Sequence, residues 1–157
     1  MRLGMSATTD NKTALLAELI SSCYKAREGY RSAASTVSDE ALKRLFELYA
    51  QQRTRFAEEL RKYLPFEIDQ QLCDTGVRSE AATGQMTKEN PIEGCLKRDA
   101  STLALYRETL ARRTLPIRAH FLISSQLALM QGVYDRVQQM LMNERPAARL
   151  RLQIHTH

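Results

Sequence analysis

A cation site inside a helical protein needs several carboxylates converging from neighbouring helices, because hard metal ions take oxygen ligands and must have their charge offset. Few residues of this chain approach that arrangement. Glu28 lies in the stretch KAREGY, Lys25 to Tyr30, inside a run whose apolar spacing is that of a buried helix face. Extending the hydrophobic spacing at heptad-like steps lands on Arg27 or Glu28, then on Gln52, on Asp99, and on Gln126 and Gln131. Two acids among amides would leave a pair of divalent ions uncompensated in a low-dielectric interior. The pattern reads instead as a mid-bundle polar layer, in which Glu28 and Asp99 pair with Arg27, Arg53 or Arg98 and the glutamine amides complete the hydrogen bonds. A competing reading leaves Glu28 solvated at the edge of the face, with only Ala26 and Tyr30 inward. Gly29 would let a neighbouring helix or a large side chain approach closely.

An iron or manganese site would have to be unconventional, built from Glu28, Asp99 and a further acid such as Glu47. No Glu-x-x-His occurs, and the only histidines are His120, His155 and His157. The expectation is therefore no metal, no cofactor and no catalytic residues. No G-x-S-x-G, P-loop or dinucleotide fingerprint supplies another chemistry. Cys23 and Cys95 fall on apolar faces and read as small core residues, and Cys73 reads as the exposed, reactive thiol.

These residues need helices to position them. The chain of 157 residues is 43% hydrophobic and 26% charged, with 6 Gly and 4 Pro, a balance that favours one helical domain. Helix periodicity runs from Thr13 to Val37, through Leu16, Leu19, Ile20, Cys23, Ala26 and Tyr30. A second helix follows Ser38, a candidate cap, and is carried by Phe46, Tyr49, Phe56, Leu60 and Tyr63. Pro65 ends it. Asn90 and Pro91 begin a third helix as cap and first helical residue, and it reaches about Arg112. A fourth spans Ile117 to about Met142, through Phe121, Leu127, Met130, Tyr134, Val137 and Leu141, with Pro146 as its close. The expected organisation is a tail at 1–12, one four-helix domain at 13–142 with a crossover at 64–90, and a tail at 143–157, extended or without regular structure. Phe66, Ile68 and Leu72 could form a short amphipathic turn within the crossover. Two antiparallel hairpins joined by one long crossover is the ferritin-like arrangement of an all-α four-helix bundle.

The block from Leu19 to Leu60 carries Glu28-Gly29 followed by Tyr30, an AAS step, LKRLF and RFAEEL. It resembles a family of uncharacterised bacterial ferritin-like four-helix-bundle proteins, known only as a domain of unknown function. The resemblance implies the fold and a distant kinship to iron-binding bundles, and it brings no activity. The chain lacks a signal-peptide h-region and a membrane-length apolar run, and its three cysteines form no C-x-x-C pair, so a cytoplasmic protein is expected. The net charge of +5 is spread through interleaved acids and bases, which argues against a nucleic-acid partner. The expected role is a non-catalytic interaction or stress-associated protein, a homodimer without membrane contact; the alternative is an iron- or manganese-binding oxidase or storage protein.

Overall fold

A computed structural model describes the backbone of residues 2–72 and 90–155 and the side chains of residues 11–72 and 90–143. Among the described residues the chain is all-helical: α1 (Arg2–Thr36), α2 (Glu40–Arg61), α3 (Phe66–Gln71), α4 (Pro91–Arg112) and α5 (Ile117–His155). None of these helices is long and apolar enough to cross a membrane.

The direction of each helix follows from its cross-helix contacts. Tyr24 meets Arg61 while Tyr30 stacks on Tyr49, so α1 and α2 run antiparallel. Cys23 meets Tyr106 while Tyr30 meets Asp99, so α1 and α4 are antiparallel as well. Consequently α2 and α4 point the same way, and the chain between them must return along roughly the 33 Å length of a 22-residue helix. Helix α1 packs on α2 and α4, and α4 packs on α5; α2 and α5 approach each other less closely.

Two clusters of buried side chains fill the interior. One joins Leu16, Leu19, Ile20, Phe56, Leu60, Leu103, Ile123 and Met130. The other joins Tyr30, Ala33, Phe46, Tyr49, Ile92, Val133 and Val137. Ile68 and Leu72 pack against the first, and Arg61 clamps Asp69 with contacts of 2.6 and 3.2 Å, so α3 is tied to the bundle. The short amphipathic turn is thus a helix.

Several boundaries differ from those the spacing suggests. The cap of α2 is Asp39 rather than Ser38, its carboxylate accepting from the Ala41 N–H at 2.9 Å. Helix α1 begins at Arg2 instead of Thr13, and α5 passes Pro146 and continues to His155. Once a packed helix exists, each added residue gains a bond without a new nucleus, and the Ala-, Arg- and Leu-rich stretch after Pro146 offsets the roughly 3 kcal/mol a proline costs. Phe121 is 66% exposed, because the buried seam of α5 runs Ala119, Ile123, Gln126, Met130, Val133, Val137 and Leu141. Tyr63 is also exposed, lying beyond the end of α2. Asn90 does cap α4, accepting from the Ile92 N–H at 3.0 Å with Pro91 at the first position. Cys73 lies outside the described residues.

Candidate functional site: a buried polar network

The seam of α2 runs Phe46, Tyr49, Arg53, Phe56 and Leu60 at steps of three and four, so the same spacing that buries the aromatics buries Arg53. On α4 the steps Ile92, Cys95, Asp99, Thr102 and Tyr106 bury Asp99. Neither Arg53 nor Asp99 has measurable solvent exposure. They meet through a single contact, Arg53 Nη2 standing 2.9 Å from Asp99 Oδ2. Tyr30 Oη donates to the same oxygen in a short hydrogen bond. The Tyr30 ring is held by Phe46 and Tyr49, at centroid distances of 6.1 and 5.5 Å. The guanidinium sits 5.7 Å from the Tyr30 ring and 5.8 Å from that of Phe56.

About two helical turns away lies a second chain of bonds. Cys23 Sγ is 3.2 Å from Tyr106 Oη, Tyr106 donates to Gln126 Oε1 at 2.7 Å, and Gln126 Nε2 donates to the Phe56 carbonyl at 3.2 Å. Glu59 lies at the rim of this chain, 3.5 Å from the same amide. The two layers share Arg53, whose charge acts on Cys23 and Tyr106 as well as on Asp99.

Burial sets the protonation of these groups. It pushes the Cys23 thiol up to about 11, opposed by its hydrogen bond with Tyr106, and it pushes Cys95 up to about 12, helped by the nearby Asp99 carboxylate. Tyr30 and Tyr106 are raised as well, with burial as the leading cause. Burial also raises Asp99, opposed by the Arg53 guanidinium and the Tyr30 hydroxyl. Burial is the largest single influence on Arg53 and lowers it, but Asp99, Tyr30 and Cys23 together outweigh that desolvation, so the guanidinium is raised and stays cationic. At neutral pH the interior thus holds thiols and phenols that keep their protons, which are poor nucleophiles. Arg53 Nε and Nη1, Asp99 Oδ1 and Tyr49 Oη are buried without hydrogen-bond partners among the described residues.

Of the residues singled out by spacing, Asp99 and Gln126 are in this interior. The others are elsewhere. Glu28 is two-thirds buried at the edge of α1, where Arg27 Nη2 at 2.9 Å and Arg31 Nη1 at 3.3 Å hold it; it does not meet Asp99. Arg27 lies over the Tyr24 ring, 4.7 Å from its centroid. Gln52 is half-buried, its Oε1 without a hydrogen-bond partner among the described residues. Gln131 bridges Arg107 and Asp135 on the surface, and Glu47 is exposed. Glu28, Glu47 and Asp99 are therefore not gathered. Among the described residues no three His, Cys, Asp or Glu side chains converge as a metal would require. Arg98 is not a partner of Asp99; its side chain crosses α1 over Gly29, where an added Cβ would stand 2.8 Å from Nη1. His120 is half-buried near the start of α5. Tyr30, Tyr106 and Cys23 are the polar members that an apolar reading of their positions conceals, although all three stand on seam steps.

Residues 11–112 match the family model described as Domain of unknown function (DUF2383). No curated protein and no solved structure matches the chain.

Proposed function

The chain belongs to the DUF2383 family, and from its interior we propose that it is a ferritin-like four-helix bundle without an intact di-metal centre, serving as a non-catalytic interaction or stress-associated protein. The arrangement in support is the parallel pair α2 and α4 with a long return between them. The observation that carries the functional reading is the Arg53–Asp99 pair. In di-metal bundles the inward carboxylates are offset by the ions they hold. Here the deepest carboxylate faces a guanidinium that keeps its proton at any physiological pH. A divalent ion at Asp99 would share a low-dielectric interior with that cation, a repulsion that the surrounding phenols and amides do little to relieve. A cytoplasmic homodimer is part of the proposal, resting on the apolar side chains that α2 and α5 leave exposed, Leu48, Leu129 and Met142.

Elemental analysis after anaerobic Fe(II) or Mn(II) loading and desalting tests the reading. Retained metal is expected to stay far below one ion per chain, in wild type and in Asp99→Ala alike. Stoichiometric metal that disappears in Asp99→Ala would sink the proposal and restore the oxidase or storage alternative. Light scattering is expected to give two chains per particle.

A further inference from the structure

A groove of about 600 Å³ opens where α4 ends and α5 begins. Leu110, Leu115, Ile117 and Leu127 supply its apolar wall, and Arg113 and His120 its polar groups. Arg107 lines it further along α4, bonded to Gln131 of α5. No carboxylate is among the described residues that line it. Ile117 is 70% exposed and Phe121, one turn on, is 66% exposed, so apolar surface continues past the groove. Arg113 has φ 51° and ψ 33°, the left-handed conformation in which glycine is the usual residue, and it is the one non-glycine with positive φ among the described residues. Its guanidinium makes no ion pair or hydrogen bond among those residues.

We infer that this groove binds a single-chain amphiphile with an anionic head, of the long-chain carboxylate class. The volume lies in the range of small-molecule sites, which are mostly apolar with a few placed polar groups. The groove can recognise two things, apolar bulk and negative charge, since its wall is largely aliphatic and the guanidiniums of Arg107 and Arg113 are cations. A carboxylate head suits the free Arg113 fork, with His120 beside it, and an alkyl tail suits the leucine wall. Among the described residues that line the groove, no carboxylate, amide or hydroxyl side chain offers an oxygen acceptor to a peptide N–H. The inference does not use the interior ion pair, so the metal test leaves it untouched.

The probe is oleate below its micelle threshold, titrated calorimetrically into the full chain, with oleyl alcohol and a cationic alkylammonium as charge controls. One saturable site is expected for oleate, with both controls bound at least tenfold more weakly. Arg113→Gly should weaken oleate about tenfold or more, by loss of a charge-assisted contact, while melting no lower than wild type because glycine suits the left-handed backbone. Ile117→Glu should weaken it by a similar factor. The inference is overturned if oleate shows no saturable binding, or if both variants bind as wild type does, which would mean binding elsewhere on the surface. It is also overturned if an acidic amphipathic peptide or phosphatidylglycerol vesicles bind through Arg113 where monomeric oleate does not. Failure of oleate together with a shift of Ile117→Glu from dimer to monomer would assign the groove to a second copy.

Discussion

Removing Arg53 and removing Asp99 should not have the same consequence, because only one of the two can shed its charge. The pair stands at 2.9 Å with neither side chain exposed. At an effective dielectric near 20 that separation corresponds to about 6 kcal/mol of attraction, and breaking one side of a buried pair costs about 3–5 kcal/mol. Asp99→Leu strands a guanidinium that stays protonated, so the variant loses about 3–5 kcal/mol and its own stability gains nothing at this site between pH 7 and pH 5. Arg53→Met strands a carboxyl that can take up a proton. Burial already raises Asp99, and removing the opposing guanidinium raises it further. Its electrostatic cost is then capped by the protonation of an acid whose unfolded pKa is about 3.9, roughly 4 kcal/mol at pH 7 and roughly 1.5 kcal/mol at pH 5. The sign is fixed by proton uptake. The folded variant holds a proton that the unfolded chain has released, so stability is full below about pH 4 and is lost as pH rises toward the folded value. Urea unfolding followed by helical circular dichroism at both pH values, with Asp99→Leu as the reference that lacks the titrating acid, reads this directly. Arg53→Met should recover up to about 2.7 kcal/mol between pH 7 and pH 5, and Asp99→Leu should recover none. The double variant should restore most of the Asp99→Leu loss, and adding Tyr30→Phe should restore more by removing an unpaired hydroxyl. A flat pH response for Arg53→Met, or a double variant that loses the sum of the single losses, would refute the reasoning.

Other outcomes follow from the same packing. Gly29→Ala gains about 1 kcal/mol of helix propensity, and the side chain in its way, that of Arg98, is exposed and can swing aside. The variant should melt at or above wild type, and a clear drop would mean that Arg98 is pinned. In a Cys73→Ser background, Cys23 and Cys95 should resist an aromatic disulfide reagent near neutral pH until the protein unfolds. Their folded values, about 11 and about 12 against an ordinary thiol value of 9.0, mean that stability falls as pH climbs above 9, where the unfolded thiols ionise first. Rapid labelling of the folded protein would contradict their burial. Asp69→Ala removes the Arg61 clamp on α3, a part-exposed pair worth about 1 kcal/mol, and should speed limited proteolysis around residues 66–72. Unchanged cleavage would mean that Ile68 and Leu72 hold α3 by themselves.

Local spacing determined a good deal of this protein. The steps of three and four bury one face of α1, α2 and α4, and Asn90 with Pro91 marks the start of α4 by cap chemistry alone. Asp99 and Gln126 were legible as interior residues, being polar side chains at seam steps. Arg53, at the step between Tyr49 and Phe56, was legible only as one of three possible partners for the acids, beside Arg27 and Arg98, because spacing does not say which guanidinium stands opposite Asp99. A side chain one residue off a seam turns by about 100° of helix, which separates Glu28, Gln52 and Gln131 from the interior positions beside them. Who meets whom is a different matter. Arg53 reaches Asp99 across 46 residues, Tyr30 reaches Asp99 across 69, and Cys23 reaches Tyr106 across 83. Those pairs depend on the relative height and rotation of helices that share no local sequence. That register is decided only when the helices pack, because the free energy of matching a buried cation to a buried carboxylate exists only once water has been excluded from both.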